Sequence, residues 1–224
     1  MDGVLVLNKP EGYSSHDIAA ILRKVFGTKK IGHTGTLDPI ATGVLVMCIN
    51  KATRLEQYLQ CEDKIYEVEM KFGVKTDTGD RTGKVIKRSR KKIDEEKLGE
   101  VLGEFIGKQK QIPPMYSAIK VRGKKLYEYA REGKTIRREP RDIEIYDIDE
   151  AYYDEGILRF RIHCSKGTYI RTVCEDIACR VGTVATMTEL HRVRAGSFTI
   201  EQAVKLEEVN EKSIATLFFN SREP

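Results

Sequence analysis

Residues 32–47 read GHTGTLDPIATGVLVM, a glycine-rich segment that passes directly into an almost wholly apolar run. The three glycines allow backbone shapes and close approaches that other residues resist. Pro39 removes one backbone donor and biases Asp38 away from the helical region. The apolar residues from 43 to 49 predict a buried strand. The stretch therefore predicts a constrained loop that holds one aspartate at the entrance to a core strand.

The role of Asp38 has two interpretations on these residues alone. An aspartate before a proline is typical of a helix N-cap followed by proline at the first helical position. The Asp-Pro pair by itself favours that cap. A cap does not account for His33 or for the surrounding glycines, so a reactive carboxylate remains the alternative.

The rest of the chain predicts strands and helices without strict βαβ alternation. Ser14 and Asp17 form an S-x-x-D start to a helix that Gly27 ends. Residues 64–72 alternate, with Tyr66 on the inward face. The other predicted elements are strands at 3–10, 141–149, 157–164 and 186–198, helices at 52–60, 94–106 (Ile106 inward) and within 167–182, a loop at 76–83, and a helix-like tail. This mixture predicts an α+β domain around a mixed sheet.

Length and composition indicate a soluble cytosolic protein. The chain has 224 residues, enough for one large domain or two small ones, with 40% hydrophobic and 33% charged residues. No apolar run is long enough to cross a bilayer, and the start lacks the features of a signal peptide. The five cysteines have no CxxC spacing, so reduced and mostly buried thiols are expected instead of a zinc site or disulfide framework.

Positive charge is concentrated in residues 120–141, which hold nine of the chain's 39 Lys or Arg residues but only three of its 34 Asp or Glu residues. The rest of the chain is almost neutral, with a slightly negative net charge. Clustered basic residues beside Tyr116, Tyr127 and Tyr129 suit a polyanion such as RNA. A solvated helix face is the other interpretation. A smaller basic run at 84–92 is predicted to be a surface hairpin.

Four further stretches join GHTGTLDPIATGVL in a family resemblance. In chain order they are LNKPEGYSSHD (7–17), KIYEVEMKFGVKTDTGDRTG (64–83), QIPPMYSAIKVRGKKLYEYAREG (111–133) and GTYIRTVCEDI (167–177). In order and spacing the set resembles the motifs of the TruB family of tRNA pseudouridine synthases. The resemblance implies a pseudouridine synthase fold, of α+β class, with a mixed, mostly antiparallel central sheet flanked by helices. Residues 1–224 would form the catalytic domain, with an RNA-binding thumb insertion at about 113–141.

The resemblance implies isomerisation of uridine 55 in the T-loop of tRNA, without cofactor or metal. The C1′–N bond breaks, the uracil turns and a C1′–C5 bond forms. Asp38 would supply the carboxylate, as a nucleophile toward C1′ or the base or as an aid to loss of a sugar proton. Such a carboxylate must stay ionised yet sheltered from water. Arg171 matches the family's arginine and would hold the pKa of Asp38 low as its ion-pair partner; the alternative is a surface arginine.

Further site residues follow from the same resemblance. Tyr66 would stack on the uracil and move a proton, although it also suits a core position. His33 would fill the space that the flipped nucleotide leaves. Tyr169 and Leu190 would line the uracil pocket, or else be ordinary core residues. Lys9 would support the pocket or a phosphate, or else be solvated, and Asp80 would be a helper acid.

The thumb would contact the RNA backbone through its basic side chains. The expected contacts are Lys120, Arg122, Lys124, Lys125, Arg131, Arg137 and Arg138. Family members usually continue into a C-terminal PUA domain that grips the acceptor end of tRNA, and no such domain is expected within residues 1–224. The expected partner is therefore the T-arm, bound by a monomer without guide RNA or membrane.

Two other functions remain open at this point. The first is a tRNA-folding chaperone in which catalysis is secondary. The second is a synthase that acts on another RNA with the help of a guide RNA. Both need the basic segment, but only an enzyme needs Asp38, Tyr66 and Arg171 together.

Overall fold

The computed structural model describes residues 2–60, 62–210 and 213, which fall into two compact units. The first unit combines the chain up to Tyr66 with the chain from Leu190 onward, and the second comprises Glu67–Glu189. The helix-like tail predicted near the C-terminus lies mostly outside the described residues.

The first unit is built around a buried strand that follows the glycine-rich loop. Its elements are β1 (Gly3–Lys9), α1 (Ser15–Val25), β2 (Ile31–His33), β3 (Thr42–Ile49), a 3-10 helix (Asn50–Leu55), α2 (Glu56–Leu59), the start of β4 (Lys64–Phe72), the end of β12 (Ala185–Ala195), β13 (Phe198–Thr199) and β14 (Val204–Lys205). Seven consecutive residues of β3, from Gly43 onward, are buried, which confirms the predicted core strand.

Strand β3 has neighbours from both ends of the sequence. It pairs antiparallel with β1, from Gly3 opposite Ile49 to Lys9 opposite Gly43, and antiparallel with β2. Strand β12 pairs parallel with β3, and Arg192 of β12 lies opposite Gly43. Strand β1 in turn pairs parallel with β14. The start of β3, where the Asp38 loop ends, is therefore held by strands on either side.

Helix α1 begins as the sequence predicts. Ser14 is the N-cap, and its side chain and that of Asp17 complete the reciprocal capping box. The helix buries Ile18, Ala19 and Leu22. Gly27 follows with a φ of +59°, the left-handed conformation that ends helices.

The second unit combines the rest of β4 and β12 with an antiparallel sheet. Its further elements are β5 (Val74–Thr76), β6 (Val85–Arg88), α3 (Glu95–Glu104), β7 (Gly107–Gln111), β8 (Lys120–Val121), β9 (Lys124–Lys125), α4 (Leu126–Arg131), β10 (Arg141–Asp154), β11 (Ile157–Cys164) and α5 (Ile170–Arg180). Strand β10 pairs antiparallel with β7 and β11, and the hairpins β5–β6 and β8–β9 stand apart from this sheet. Most strand pairs in both units are antiparallel, which confirms the α+β class.

Several predicted boundaries are wrong. Ile106 is not inward but 46% exposed, because α3 ends at Glu104 and the chain turns before β7. The helix predicted at 52–60 is confirmed as helical, since this segment contains the end of the 3-10 helix at Leu55 and then α2 up to Leu59. Strand β10 continues five residues beyond its predicted end, to Asp154.

No helix among the described residues is long and apolar enough to span a membrane.

Candidate active site

Asp38 lies in the loop that joins β2 to β3. Its side chain is half-buried, and its carbonyl accepts a hydrogen bond from the Ala41 amide at 3.0 Å in a turn. The turn leads into β3 at Thr42 and no helix begins here. The helix-cap interpretation of Asp38 is therefore wrong, because the Asp-Pro pair forms a turn before a strand.

The backbone on both sides of Asp38 is pinned to the first part of the chain. The Ser15 hydroxyl, which is buried on α1, accepts from the Leu37 amide at 2.9 Å and donates to the Leu37 carbonyl at 3.2 Å. The Gly12 amide donates to the Pro39 carbonyl at 2.8 Å. The residues immediately before and after Asp38 are thus fixed by separate hydrogen bonds.

Lys9 supports the same loop from inside the unit. It is fully buried, and its Nζ donates to the carbonyls of Tyr13 at 2.6 Å, Pro10 at 2.8 Å and Pro39 at 3.4 Å. Burial lowers the Lys9 pKa to about 8, while the negative charge of Asp38 opposes that shift. Lys9 thus places a positive charge that attracts the Asp38 carboxylate. A solvated Lys9 is excluded.

Arg192 is a site residue that the sequence reasoning missed. It is 2% exposed, and its guanidinium donates from Nε to the Val44 carbonyl at 2.7 Å and from an Nη to the Gly35 carbonyl at 3.1 Å. It thereby joins the two sides of the Asp38 loop. The alternation along β12 could have indicated it. Residues two apart on a strand share a face, so Arg192 lies on the same face as the buried Leu190.

Gly43 allows the close approach of the Arg192 backbone. A side-chain Cβ at Gly43 would lie 2.3 Å from the Arg192 carbonyl oxygen, and φ there is +97°. Both the space and the left-handed conformation require glycine. The glycine in the opening stretch therefore admits the strand that carries Arg192.

His33 ends β2 and is a neutral imidazole at neutral pH. Burial, together with the positive fields of His16 and Arg192, lowers its pKa to about 4. The His16 and His33 rings meet edge to face with centroids 6.3 Å apart. The buried Nδ1 of His33 has no hydrogen-bond partner among the described residues. The side chain can therefore act by shape and hydrogen bonding, without a cationic charge.

Tyr66 on β4 and Leu190 on β12 are both buried, at 7% and 8% exposed. Their burial fits the core interpretation of each residue, and a side chain that lines a pocket would also be sheltered. Together with Lys9, His33 and Asp38, they belong to the first unit.

Arg171 belongs to the second unit, in the first turn of α5. It is 5% exposed, so a surface arginine is excluded. Its Nη1 donates to the Thr78 carbonyl at 2.8 Å and its Nη2 to the Tyr116 carbonyl at 2.7 Å. The guanidinium therefore bonds two segments to α5: the 76–83 loop and the start of the thumb.

Asp80 organises the 76–83 loop from within. Its Oδ1 accepts from the Thr78 hydroxyl at 2.9 Å, the Thr82 amide at 3.0 Å and the Thr82 hydroxyl at 2.5 Å. The loop backbone also bonds to Met187 on both sides of Asp80. Asp80 is 6% exposed, and this geometry favours a supporting role over direct acid chemistry.

Tyr169, the N-cap residue of α5, is held by a second residue that the sequence reasoning missed. The buried Gln111 side chain accepts from the Tyr169 amide at 2.8 Å and donates to the Tyr169 carbonyl at 3.1 Å. Gln111 ends β7, so this amide fixes the start of α5 against the sheet. A lone glutamine at a strand end carries no sequence signal of such a role.

The thumb presents basic side chains beside tyrosine rings. Arg122 and Gly123, both with positive φ, form the turn of the β8–β9 hairpin. Lys124 lies 4.9 Å from the Tyr129 ring centre, and Lys125 and Arg131 lie 5.5 and 5.2 Å from that of Tyr127.

The predicted backbone contacts in the thumb differ in their surroundings. Lys120, Arg122 and Arg131 are exposed, Lys124 pairs with Glu132, and Arg137 pairs with Glu139 at 3.3 Å. Arg138 instead donates to the Pro113 carbonyl at 3.1 Å, and its Nε is buried. This geometry makes Arg138 a support of the thumb.

Each unit thus contains one group of candidate site residues that hydrogen bonds hold in place. In the first, a carboxylate is held in a loop that a buried lysine and a buried arginine brace. In the second, a buried arginine at the start of a helix fastens two loops. Within residues 2–60, 62–210 and 213, no three His, Cys, Asp or Glu side chains form a candidate metal cluster.

Comparison with known families identifies relatives over most of the chain. The pattern of the TruB family pseudouridylate synthase N-terminal domain matches residues 23–170, and that of the tRNA pseudouridylate synthase B C-terminal domain matches residues 171–217. A tRNA pseudouridine synthase B of Clostridium novyi is 46% identical over 96% of this chain and 74% of its own length. One of Halalkalibacterium halodurans is 46% identical over 95% and 72%.

Two solved structures share the fold. A chain of a Cbf5-Nop10-Gar1 complex superposes with a TM-score of 0.71 at 33% identity, over 92% of this chain and 52% of its own. A chain of an H/ACA RNP bound to a substrate RNA containing 2′-deoxyuridine gives 0.69 at 28% identity, over 92% and 51%. This chain spans about half the length of those two chains.

Proposed function

Because this chain belongs to the TruB family of pseudouridylate synthases, we propose that it converts uridine 55 in the T-loop of tRNA to pseudouridine. The relatives that are called tRNA pseudouridine synthase B support tRNA as the substrate. The observation that carries the proposal is the geometry of the Asp38 loop. Hydrogen bonds fix its backbone on both sides of Asp38, and Asp38 does not cap a helix. A loop fixed at Gly35, Leu37, Pro39 and Val44 for one half-buried carboxylate fits a reagent better than a turn.

Asp38 acts as the nucleophile in this proposal. Its carboxylate bonds to C1′ while the glycosidic electrons leave with the uracil, whose C1′–N bond breaks. The uracil turns, its C5 bonds to C1′, and the carboxylate departs. C5 then loses its proton and N1 gains one, which restores the ring and leaves the overall reaction an isomerisation. Fixing the carboxylate beforehand removes the cost of positioning it during the reaction.

The other family positions have supporting roles in the proposal. Tyr66 stacks on the uracil and moves a proton, and Tyr169 and Leu190 shelter the base. Neutral His33 fills the space that the flipped nucleotide leaves, without the desolvation cost of a buried cation. The ion pair of Arg171 with Asp38 stays a prediction.

We further propose that the chain acts as a cytoplasmic monomer and needs neither guide RNA nor cofactor. The 46% identity to a relative called tRNA pseudouridine synthase B exceeds the 33% and 28% identity to chains of the Cbf5-Nop10-Gar1 complex and of the H/ACA RNP. Turnover of an isolated T-arm hairpin by the chain alone tests this. A requirement for added guide RNA would contradict it.

The deciding experiment is Asp38→Asn with unmodified tRNA, followed by mapping of pseudouridine by position. The parent chain should modify position 55 alone, and the variant should form no pseudouridine while it still binds tRNA. Asp142→Asn, at a carboxylate whose side chain is 88% exposed, is the matched control and should retain full activity.

An active Asp38→Asn protein would overturn the assignment of Asp38. An inactive variant that still restored the growth of a cell lacking the gene would favour the tRNA-folding chaperone as the biological role.

A further inference from the structure

The second unit carries another basic segment, separate from the thumb. Residues 84–92, which we call the basic strand, read KVIKRSRKK and hold six Lys or Arg without an acidic residue. The first half is β6, in which all four residues are exposed. All six basic residues lie in the exposed class. The positive charge of the chain therefore has two surface concentrations, of which the thumb is one.

The basic strand is held at a fixed place along α5. Its hairpin partner β5 carries Lys75, which pairs with Glu175 of α5 at 3.2 Å. Farther along, the Ser89 hydroxyl meets that of Thr183 at 3.0 Å and the Lys91 Nζ donates to the Val181 carbonyl at 3.0 Å, just after the helix ends. Glu175 and Val181 are six residues apart, which is about 9 Å at 1.5 Å per residue, so these anchors hold the segment along the second half of α5.

The loop that leads into the basic strand is also the one that Arg171 holds. The Arg171 guanidinium donates to Thr78, and Lys84 follows that loop directly, with its amide bonded to Asp77 at 2.8 Å. Basic side chains thus extend from a loop beside a family site residue along the flank of α5. RNA that enters near Arg171 would have backbone within reach of them.

These charges are not compensated by the protein. Among the described residues, no carboxylate forms an ion pair with Lys84, Lys87, Arg88, Arg90 or Lys92. The Lys91 side chain differs from these five, because it donates a hydrogen bond to the Val181 carbonyl. Six like charges in nine residues repel one another, which costs stability unless an anion is bound. Strongly basic exposed surfaces of this kind fit phosphates.

We propose that the basic strand is a second contact surface for the phosphate backbone of the substrate RNA. The proposal rests on the proposed function, because it takes the bound polyanion to be tRNA. The contact is electrostatic and independent of base sequence, as for most phosphate contacts. It would orient the RNA beside α5, while the thumb contacts it elsewhere.

The test measures tRNA affinity against salt concentration. In Lys87→Gln, Arg88→Gln, Arg90→Gln and Lys92→Gln combined, the slope of log K against log salt should fall by about 3, because each lost phosphate contact removes 0.7–0.9 of slope. The matched control neutralises four exposed lysines elsewhere in the same unit: Lys71, Lys97, Lys108 and Lys110. Its slope should change by less than about 1.

A second variant separates charge from shape. Exchanging lysine and arginine at the four positions keeps every charge and should keep the parental slope. The proposal is overturned if the neutral variant keeps the parental slope, or if the control loses as much. These slopes decide the proposal whether or not the parent chain forms pseudouridine, so failure of the proposed function would be seen separately in the mapping of position 55.

Discussion

Arg192 joins two parts of the Asp38 loop, since its guanidinium donates to Gly35 on one side and to Val44 on the other. We predict that Arg192→Lys lowers kcat for pseudouridine formation at least about tenfold with little change in KM. Lysine keeps the charge but cannot span both carbonyls, and small misplacements of a reacting group are costly.

The neighbouring arginine of β12 provides the control. Arg194 pairs with Asp63 at 2.6 Å and is partly exposed, so Arg194→Lys should retain most of the parental kcat. Equal effects of the two substitutions would argue against a special role for Arg192, and a circular-dichroism melt would show whether either variant is simply unfolded.

His33 predicts a pH dependence of stability. Its pKa is about 4 in the folded chain and 6.5 when unfolded, so the unfolded state binds the extra proton between these values. Stability should therefore fall as pH drops from 6.5 toward 4, by about 2–3 kcal/mol for this group. Above pH 6.5 the imidazole is neutral in both states and the effect vanishes.

The measurement is urea unfolding at pH 7 and pH 4.5 for the parent and His33→Gln. The variant cannot gain the proton, so its loss between the two pH values should be smaller by that amount. An identical loss in both proteins would show that other groups cause the acid sensitivity.

Local sequence identifies the candidate carboxylate but not what braces it. Asp38, Lys9 and Arg171 could be predicted as site residues because each stands in a short motif. Arg192 and Gln111 could not, since the first acts on a carbonyl 148 positions away and the second on one 58 positions away. Hydrogen bonds over such separations leave no periodic trace in the chain.

Helix α1 carries two adjacent serines with different tasks. Ser14 caps the helix, whereas Ser15 bonds to the backbone beside Asp38. Ser14→Ala should cost about 1 kcal/mol of stability and leave kcat nearly unchanged. Ser15→Ala leaves the buried Leu37 amide unpaired, which costs about 1–3 kcal/mol, and it should also lower kcat.

The comparison of the two serine variants is made at a temperature where both are fully folded. The ratio of their kcat values then reports how much the Ser15 hydrogen bonds to the Asp38 loop contribute to catalysis, because differences in stability no longer contribute. If Ser14→Ala lowers kcat as much as Ser15→Ala, helix stability would be sufficient to explain both.

Elements with strong local signals could be predicted well. The capping box fixes the start of α1, and strict alternation fixes β4, because both depend on neighbours within a few residues. The end of α3 could not be placed, since Leu102 and Phe105 continue the apolar spacing after the hydrogen bonds tighten to the three-residue type. Apolar periodicity records burial, and a turn can bury Phe105 as well as a helix can.

At the scale of the molecule, the thumb should contribute to RNA affinity through selected charges only. Lys120→Gln should lower the slope of log K against log salt by about 0.7–0.9, because its exposed ammonium suits a phosphate. Arg138→Gln should leave the slope unchanged and lower the melting temperature, because Arg138 bonds to Pro113 within the thumb. A reversal of these two results would reassign the RNA contact to Arg138.

The sequence indicates the α+β class but not the composition of the two units. The end of β12 and all of β14 come from the last part of the chain and yet join the first unit, beside strands from the first 50 residues. Hydrophobic patterning predicts that each strand is buried on one face. It does not specify which strand lies beside which, because pairing depends on the packing of the whole unit.

The bond between Arg192 and Val44 also sets an order of events during protein synthesis. A ribosome adds about 5–20 residues per second, so the 148 positions between them take roughly 7–30 s. Throughout that interval the segment around Asp38 has been made, but its brace and the parallel neighbour of β3 have not. A nascent chain would therefore gain its ordered Asp38 loop only after Arg192 has been synthesised.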